Sequence, residues 1–262
     1  MKLSVLCENT AGGYFAAEHG LSYFIENDTT VLFDSGHSDI FLRNAARLNI
    51  DLNKCKTVVL SHGHWDHGNG LKYLENKKLI CHPDVFMKRY HRNDTSAVGL
   101  ELTREELAQK FEIIESKIPY HISEQIIFLG EIPRLNDFES QSTNFIDEQG
   151  RDDFVPDDSA LAVIDGNELL VVTGCSHAGI CNIVEYAKKV SGLQKVKVVI
   201  GGFHLNGNDK QTQETINYFT ENQVQHILPS HCTRLAALSD FYQVFKIEHV
   251  KMASGHSNTH SW

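Results

Sequence analysis

Three imidazoles and a carboxylate fall within six positions at His62, His64, Asp66 and His67, inside the segment Ser61-His62-Gly63-His64-Trp65-Asp66-His67-Gly68-Asn69-Gly70. The segment follows directly on the apolar run Thr57-Val58-Val59-Leu60. A chain with this feature must fold so that a strand ends where its polar donors can share a cation. If the chain stays extended on leaving the strand, His62 and His64 point to one side, because strand side chains alternate with period two. Asp66 and His67 then belong to the next bend and can turn toward a second cation. Gly63, Gly68 and Gly70 remove the Cβ atoms that would obstruct so tight a path. Imidazole with carboxylate is a borderline donor set that suits Zn, Fe or Mn.

The remaining composition narrows the class. The chain has 262 residues, 41% of them hydrophobic and 22% charged, which is ordinary for a globular protein and excludes disorder. A formal charge of −10 argues against a general nucleic-acid or anionic-membrane surface. The N-terminal apolar stretch is too short for a signal peptide, and no run approaches the roughly 18 apolar residues of a membrane span, so a cytoplasmic protein is expected. Cys7, Cys55, Cys81, Cys175, Cys181 and Cys232 show no Cys-x-x-Cys spacing, so no disulfide framework is expected; most are expected as buried free thiols, with Cys175 and Cys232 set apart because they sit inside site-like motifs.

Strands are expected at 3–6, 22–25 and 30–33, a helix over 40–48 with Ser38 as its cap, a helical turn at 71–74 and a strand at 78–81. Residues 84–158 read as an elaborated connection carrying part of a substrate pocket. Regularity then returns, with a hairpin of strands 160–164 and 168–173 around the turn 165–167, a helix over 180–190, a strand at 196–200, a helix over 212–221, a strand at 226–228 and a last helix over 235–245. One domain spanning 1–262 is the expectation.

Three later strands run into loops that carry histidine: Thr173-Gly174-Cys175-Ser176-His177, Gly201-Gly202-Phe203-His204 and Pro229-Ser230-His231-Cys232-Thr233. Together with Ser61 to Gly70, these loops resemble the metallo-β-lactamase-fold hydrolases, and within them the dihydropterin/ribofuranosylaminobenzene-phosphate synthase-like branch. The resemblance implies an α/β protein, an αββα sandwich of two mixed sheets flanked by helices, with a metal pair at one edge. It implies His62 and His64 on the first of two divalent metals, zinc foremost with iron or manganese open, and Asp66 and His67 on the second. His231 matches the position of a second-site histidine, and His177 is the candidate to finish the first site. Many relatives carry a bridging aspartate in a Thr-Gly-Asp string, where this chain has Cys175; the thiol either bridges as thiolate or the bridge is absent.

His204 is open as a ligand, a proton donor or a clamp on an anionic group. Asp34 is expected to orient a ligand imidazole, and Asp158 to be a solvated loop acid. His19, His37, His82, His91 and His121 have no partner motif and read as surface or structural residues, while the tail bearing His256 and His260 reads as loosely held. Lys88, Arg89 and Arg92 form the one compact basic patch, either a guide for an anion or a solvated face. The expected activity is hydrolysis by a metal-activated water, with Asp66 and His204 as catalytic residues. The expected substrate is a phosphoester, phosphodiester or phosphorylated small molecule; an iron redox or sensing protein, or a lactone or thioester hydrolase, is the alternative.

Overall fold

The computed structural model describes residues 1–246 and 252–259. The first half carries strands β1 (Lys2–Cys7), β2 (Ser22–Glu26), β3 (Thr30–Phe33), β4 (Thr57–Val59), β5 (Lys77–Cys81), β6 (Arg89–His91) and β7 (Phe111–Glu115), with helices α1 (Ile40–Arg47), α2 (Trp65–Gly68) and α3 (Arg104–Ala108). The second half adds β8 (Tyr120–His121), β9 (Ile126–Phe128), β10 (Phe145–Asp147), β11 (Ala160–Asp165), β12 (Glu168–Thr173), β13 (Val196–Gly202), β14 (His226–Ser230) and β15 (Ser257–Thr259). Its helices are α4 (Ile180–Ser191), α5 (Lys210–Glu221) and α6 (Leu235–Phe245).

Two mixed sheets face each other, one ordered β15-β1-β2-β3-β4-β5-β7 and the other β14-β13-β12-β11-β9-β8. Strand alternation sorts their side chains. Leu170 and Val172 of β12 join Leu3, Val31, Phe33 and Val59 in the core between the sheets, while Leu169 and Val171 turn outward to the core beneath the flanking helices, with Ile183, Phe219 and Phe241. The first sheet's outer face packs Leu32, Val58 and Leu79 against Phe41 and Ala45 of α1. Both faces of each central strand are therefore dry, which is why these strands read as continuous apolar runs. This is the expected αββα sandwich.

The segment 84–158 departs from the expectation of an elaborated connection. Its Phe111–Glu115 strand pairs in parallel with β5, and Ile126–Phe128 pairs antiparallel with β11, so both belong to the sheets. Only β6 and β10 stand apart as a two-stranded ribbon. The turn at 71–74 is a 3₁₀ segment, Asn69–Tyr73. The N-cap of α1 is Asp39 rather than the expected Ser38, whose hydroxyl one position earlier still accepts the Ile40 N–H. The described part of the tail is not loosely held: Lys2, Leu3 and Ser4 pair with Thr259, Asn258 and Ser257, and the Val5 N–H donates to the His256 carbonyl. His260 lies outside the described residues.

Candidate metal centre

The strand β4 ends at Val59, and the chain then follows a short irregular path into the single turn of α2 that carries Asp66 and His67, with anchors that come from elsewhere. A Cβ on Gly63 would sit 1.9 Å from the Val85 carbonyl oxygen, and one on Gly70 would sit 2.0 Å from that of Ser35, so neither position admits a side chain. The Gly63 N–H donates to Asp157 Oδ2 at 2.7 Å, which fixes the turn between His62 and His64.

Proton positions follow from the hydrogen bonds. Ser61 donates to Asp34 through its backbone N–H and its hydroxyl, both at 2.7 Å, so its oxygen is left to accept from His62 Nδ1 at 2.9 Å. His67 Nδ1 donates to Asp34 Oδ2 at 2.7 Å. His231 Nδ1 donates to Asn9 Oδ1 at 3.0 Å, the Asn9 amide being oriented by its own donation to the His231 carbonyl. The Nε2 atoms of His62, His67 and His231 therefore carry lone pairs.

Those lone pairs converge. His67 Nε2 and His231 Nε2 are 3.1 Å apart, and Asp66 Oδ2 lies 3.2 Å from His231 Nε2 and 3.8 Å from His67 Nε2. Two lone pairs and a carboxylate oxygen repel unless a positive charge sits among them. A proton on His67 supplies one: burial opposes charging that ring, but the Asp66 and Asp34 carboxylates outweigh it and raise its basicity. A divalent cation supplies more. Beside this group, His62 Nε2 faces His64 Nδ1 at 3.0 Å, and His177 closes a set whose donor atoms all lie within 4.8 Å of one another. Burial first, then the neighbouring rings, holds His62, His64 and His177 well below the usual histidine range, which keeps them neutral and able to donate electron pairs. His64 Nε2 and His177 Nε2 are buried without a hydrogen-bond partner. Three neutral imidazoles in one group, and two imidazoles with a carboxylate in the other, each fit a divalent cation.

Cys175 sits at the seam, its Sγ 3.3 Å from His67 Nε2 and within 4.8 Å of His62 and His67 donor atoms. Burial, then the adjacent Cys232, pushes its thiol well up. Backbone conformation is unusual at this edge: Asp34, Ser176, His204 and His231 adopt φ of 57°, 59°, 50° and 49°. Non-glycine residues in the left-handed region each cost on the order of 1–3 kcal/mol, held here by the surrounding sheet ends.

Several sequence expectations need correction. His19 belongs to the site: its Nε2 lies 3.2 Å from Asp66 Oδ2 and its ring stacks on His231 at 5.1 Å. His91 lines the cavity next to Phe145, and His37 packs edge-on to Trp65 at 4.9 Å. Neither histidine carried a spacing signal, since each arrives from a distant segment. His82 is a buried structural residue and His121 an exposed strand residue, as expected. Asp158 is not solvated but fully buried, accepting the Ala178 N–H at 2.9 Å, and burial pushes its carboxyl up to about 7. The basic patch is no anion guide: Arg89 is buried between Asp153 and Asp157, Lys88 pairs with Glu148, and Arg92 pairs with Asp152. Asp34 orients His67, as foreseen.

A cavity of about 720 Å³ opens over the centre, lined by His64, Trp65, Asp66, Phe145, Phe154 and Arg234 among others. Fold and donor groups together define a metallo-β-lactamase-type protein with clustered donors at the edge where the two sheets' loops meet. The chain belongs to the metallo-beta-lactamase superfamily, whose family model matches residues 16–98, and to its dihydropterin/ribofuranosylaminobenzene-phosphate synthase-like branch. An uncharacterized protein of Methanocaldococcus jannaschii is 39% identical over 251 residues, covering 92% of this chain and 94% of that one. From the same organism, 7,8-dihydropterin-6-methyl-4-(beta-D-ribofuranosyl)-aminobenzene-5'-phosphate synthase is 32% identical over 280 residues, covering 97% and 95%. A crystal structure described as a metal-dependent hydrolase of the beta-lactamase superfamily superposes with a TM-score of 0.87 at 29% identity over 100% of both chains. Among the described residues no helix is long and apolar enough to cross a membrane.

Proposed function

We propose that the protein is a metal-dependent hydrolase that directs water onto a phosphoester, phosphodiester or phosphorylated small molecule. The observation that carries this reading is the contact of His67 Nε2 with His231 Nε2 at 3.1 Å, with Asp66 Oδ2 within 3.8 Å of both. His62, His64 and His177 would hold one divalent cation, and Asp66, His67 and His231 a second, with Cys175 able to reach the latter; zinc is the foremost candidate. Such a pair, when bound, lowers the pKa of a coordinated water and polarises a substrate oxygen.

The protein's own groups do the rest. Burial alone pushes Asp66 up, but the imidazoles of His67, His19 and His231 outweigh it and hold the carboxyl well below its usual range, so it stays ionised to orient a water and steer its proton toward His19. His19, half exposed beside it, can pass that proton to solvent. Trp65, Phe145 and Phe154 give the cavity flat apolar walls, and Arg234 brings a guanidinium to its rim. These features suit an aromatic compound bearing a phosphate. The synthase named among the relatives favours a second reading, in which the same centre activates the leaving group and an acceptor other than water attacks.

A metal-defined screen of the reconstituted protein tests both readings, using phosphomonoesters, phosphodiesters such as bis-p-nitrophenyl phosphate, lactones and thioesters, with and without a nucleophilic acceptor. Turnover of a phosphate ester that His64→Ala abolishes supports the hydrolase. Product formation only with the acceptor supports transfer. Undiminished turnover by protein shown to be metal-free sinks both, and an iron spectrum that changes on reduction without any turnover points to a redox protein.

A further inference from the structure

Four of the six cysteines are isolated thiols within packed surroundings, but Cys175 and Cys232 meet at the cavity with an imidazole between the strand ends. Each member of this group lies two residues beyond the end of its strand: Cys175 beyond β12 at Thr173, His204 beyond β13 at Gly202, and Cys232 beyond β14 at Ser230. The three strands are neighbours and parallel, so their ends stand side by side. The donor atoms of Cys175, His204 and Cys232 all lie within 4.8 Å of one another.

The space for this grouping is built in. A Cβ at Gly202 would lie 2.5 Å from Cys232 Sγ and 2.6 Å from the Gly174 carbonyl oxygen, so a bare glycine is what lets Cys232 reach the strand ends. The loops are tied at this level by the Phe203 N–H donating to Thr233 Oγ1 at 3.0 Å and the Arg234 N–H donating to the Leu205 carbonyl at 2.9 Å. His204 is held at φ 50°, and its Nδ1 is buried without a hydrogen-bond partner. All three residues line the cavity, which gives a cation a route in.

We infer that Cys175, His204 and Cys232 form a further metal site, distinct from the two histidine-rich groups, that takes one thiophilic cation of the Zn²⁺, Cd²⁺ or Cu⁺ class. Two sulfurs and one imidazole make a softer set than anything else in the centre, and the cavity leaves a fourth position for water or substrate. Of the three roles open to His204, its surroundings favour the ligand. The inference rests on the reading of the centre above only through Cys175, which stands between the two donor groups.

The test is a cobalt(II) titration of chelator-stripped, fully reduced protein, with bound metal counted by native mass spectrometry and thiolate ligation read from the sulfur-to-cobalt charge-transfer absorption. Wild-type protein is expected to take up one more equivalent than Cys232→Ser, and that variant to lose half or more of the charge-transfer intensity. His204→Asn should lose the same equivalent while keeping some thiolate absorption. His64→Ala should lose metal from the histidine-rich centre yet keep the Cys232-dependent equivalent, which separates failure of this inference from failure of the functional reading. Equal stoichiometry and equal charge-transfer intensity in wild type and in a Cys232→Ser protein of unchanged circular dichroism would overturn it.

Discussion

At the scale of single residues, the centre depends on groups that are not themselves metal donors. Asp34 accepts from the Ser61 N–H, the Ser61 hydroxyl and His67 Nδ1, and through them it sets the tautomers of His62 and His67. In Asp34→Asn one oxygen becomes an NH₂ that faces a donor, so at least one imidazole loses its orientation. Metal affinity should fall roughly 10–100-fold, measured by competition with a chelator of known affinity. Asp158 offers a test by pH. Its carboxyl is raised to about 7 in the folded protein by burial, above its unfolded value, so the folded state binds the proton more tightly. The resulting penalty is absent below the unfolded pKa, grows between about pH 4 and 7, and is full above that. Asp158→Asn keeps an acceptor for the Ala178 N–H and removes the charge. Chelator-treated Asp158→Asn should therefore melt higher than wild type at pH 8 and no higher at pH 4; an equal gain at both pH values would rule out the ionisation account.

Secondary-structure elements were legible to the extent that their period was clean. Helix α6 falls at 235–245 as the apolar spacing indicates, and β12 at Glu168–Thr173 matches its continuous apolar run. Helix α3 and strand β7 were hidden in the charged stretch after Glu101 because an edge strand such as Phe-Glu-Ile-Ile-Glu buries little of its length. The same region holds an element-scale device that no local pattern announces. Arg89 of β6 donates from Nη1 and Nη2 to Asp157 at 3.1 and 2.7 Å, its Nε lies 3.0 Å from Asp153, and Asp157 in turn accepts from Gly63. Asp157→Ala leaves a buried guanidinium short of a partner and frees the turn between His62 and His64. It should cost about 3–5 kcal/mol, read from the denaturant midpoint, and should also weaken metal binding. A loss of stability with metal affinity intact would confine the ion pair to a structural role.

For the whole molecule, the centre joins parts of the chain that are far apart: Asn9 and His19 from the start, His62 to His67 from the first sheet, and Cys175, His177, His204 and His231 from the second. A cation held there ties the two sheets together. Removing metal should lower thermal stability, since a ligand at 100 times its Kd contributes about 2.7 kcal/mol. For a chain of this size each kcal/mol shifts Tm by roughly 2–4 °C, so calorimetry should find a loss of several degrees on chelation, restored by metal. An unchanged Tm would mean that no cation of useful affinity bridges the sheets. The formal charge of −10 makes local cations the natural means of admitting an anionic substrate.

Legible along the chain alone were the six-residue cluster and the strands that end in histidine loops, because period and spacing are local properties; the layered sandwich followed from the family resemblance those motifs carry. Only the tertiary structure decided that His19 stands beside Asp66, that Asp158 is buried, that Arg89 is spent on two aspartates rather than on substrate, and that Cys175, His204 and Cys232 face one another. Each of these depends on which loops and strand ends become neighbours in the fold, and residues as far apart as Arg89 and Asp157, 68 positions, carry no common period along the chain.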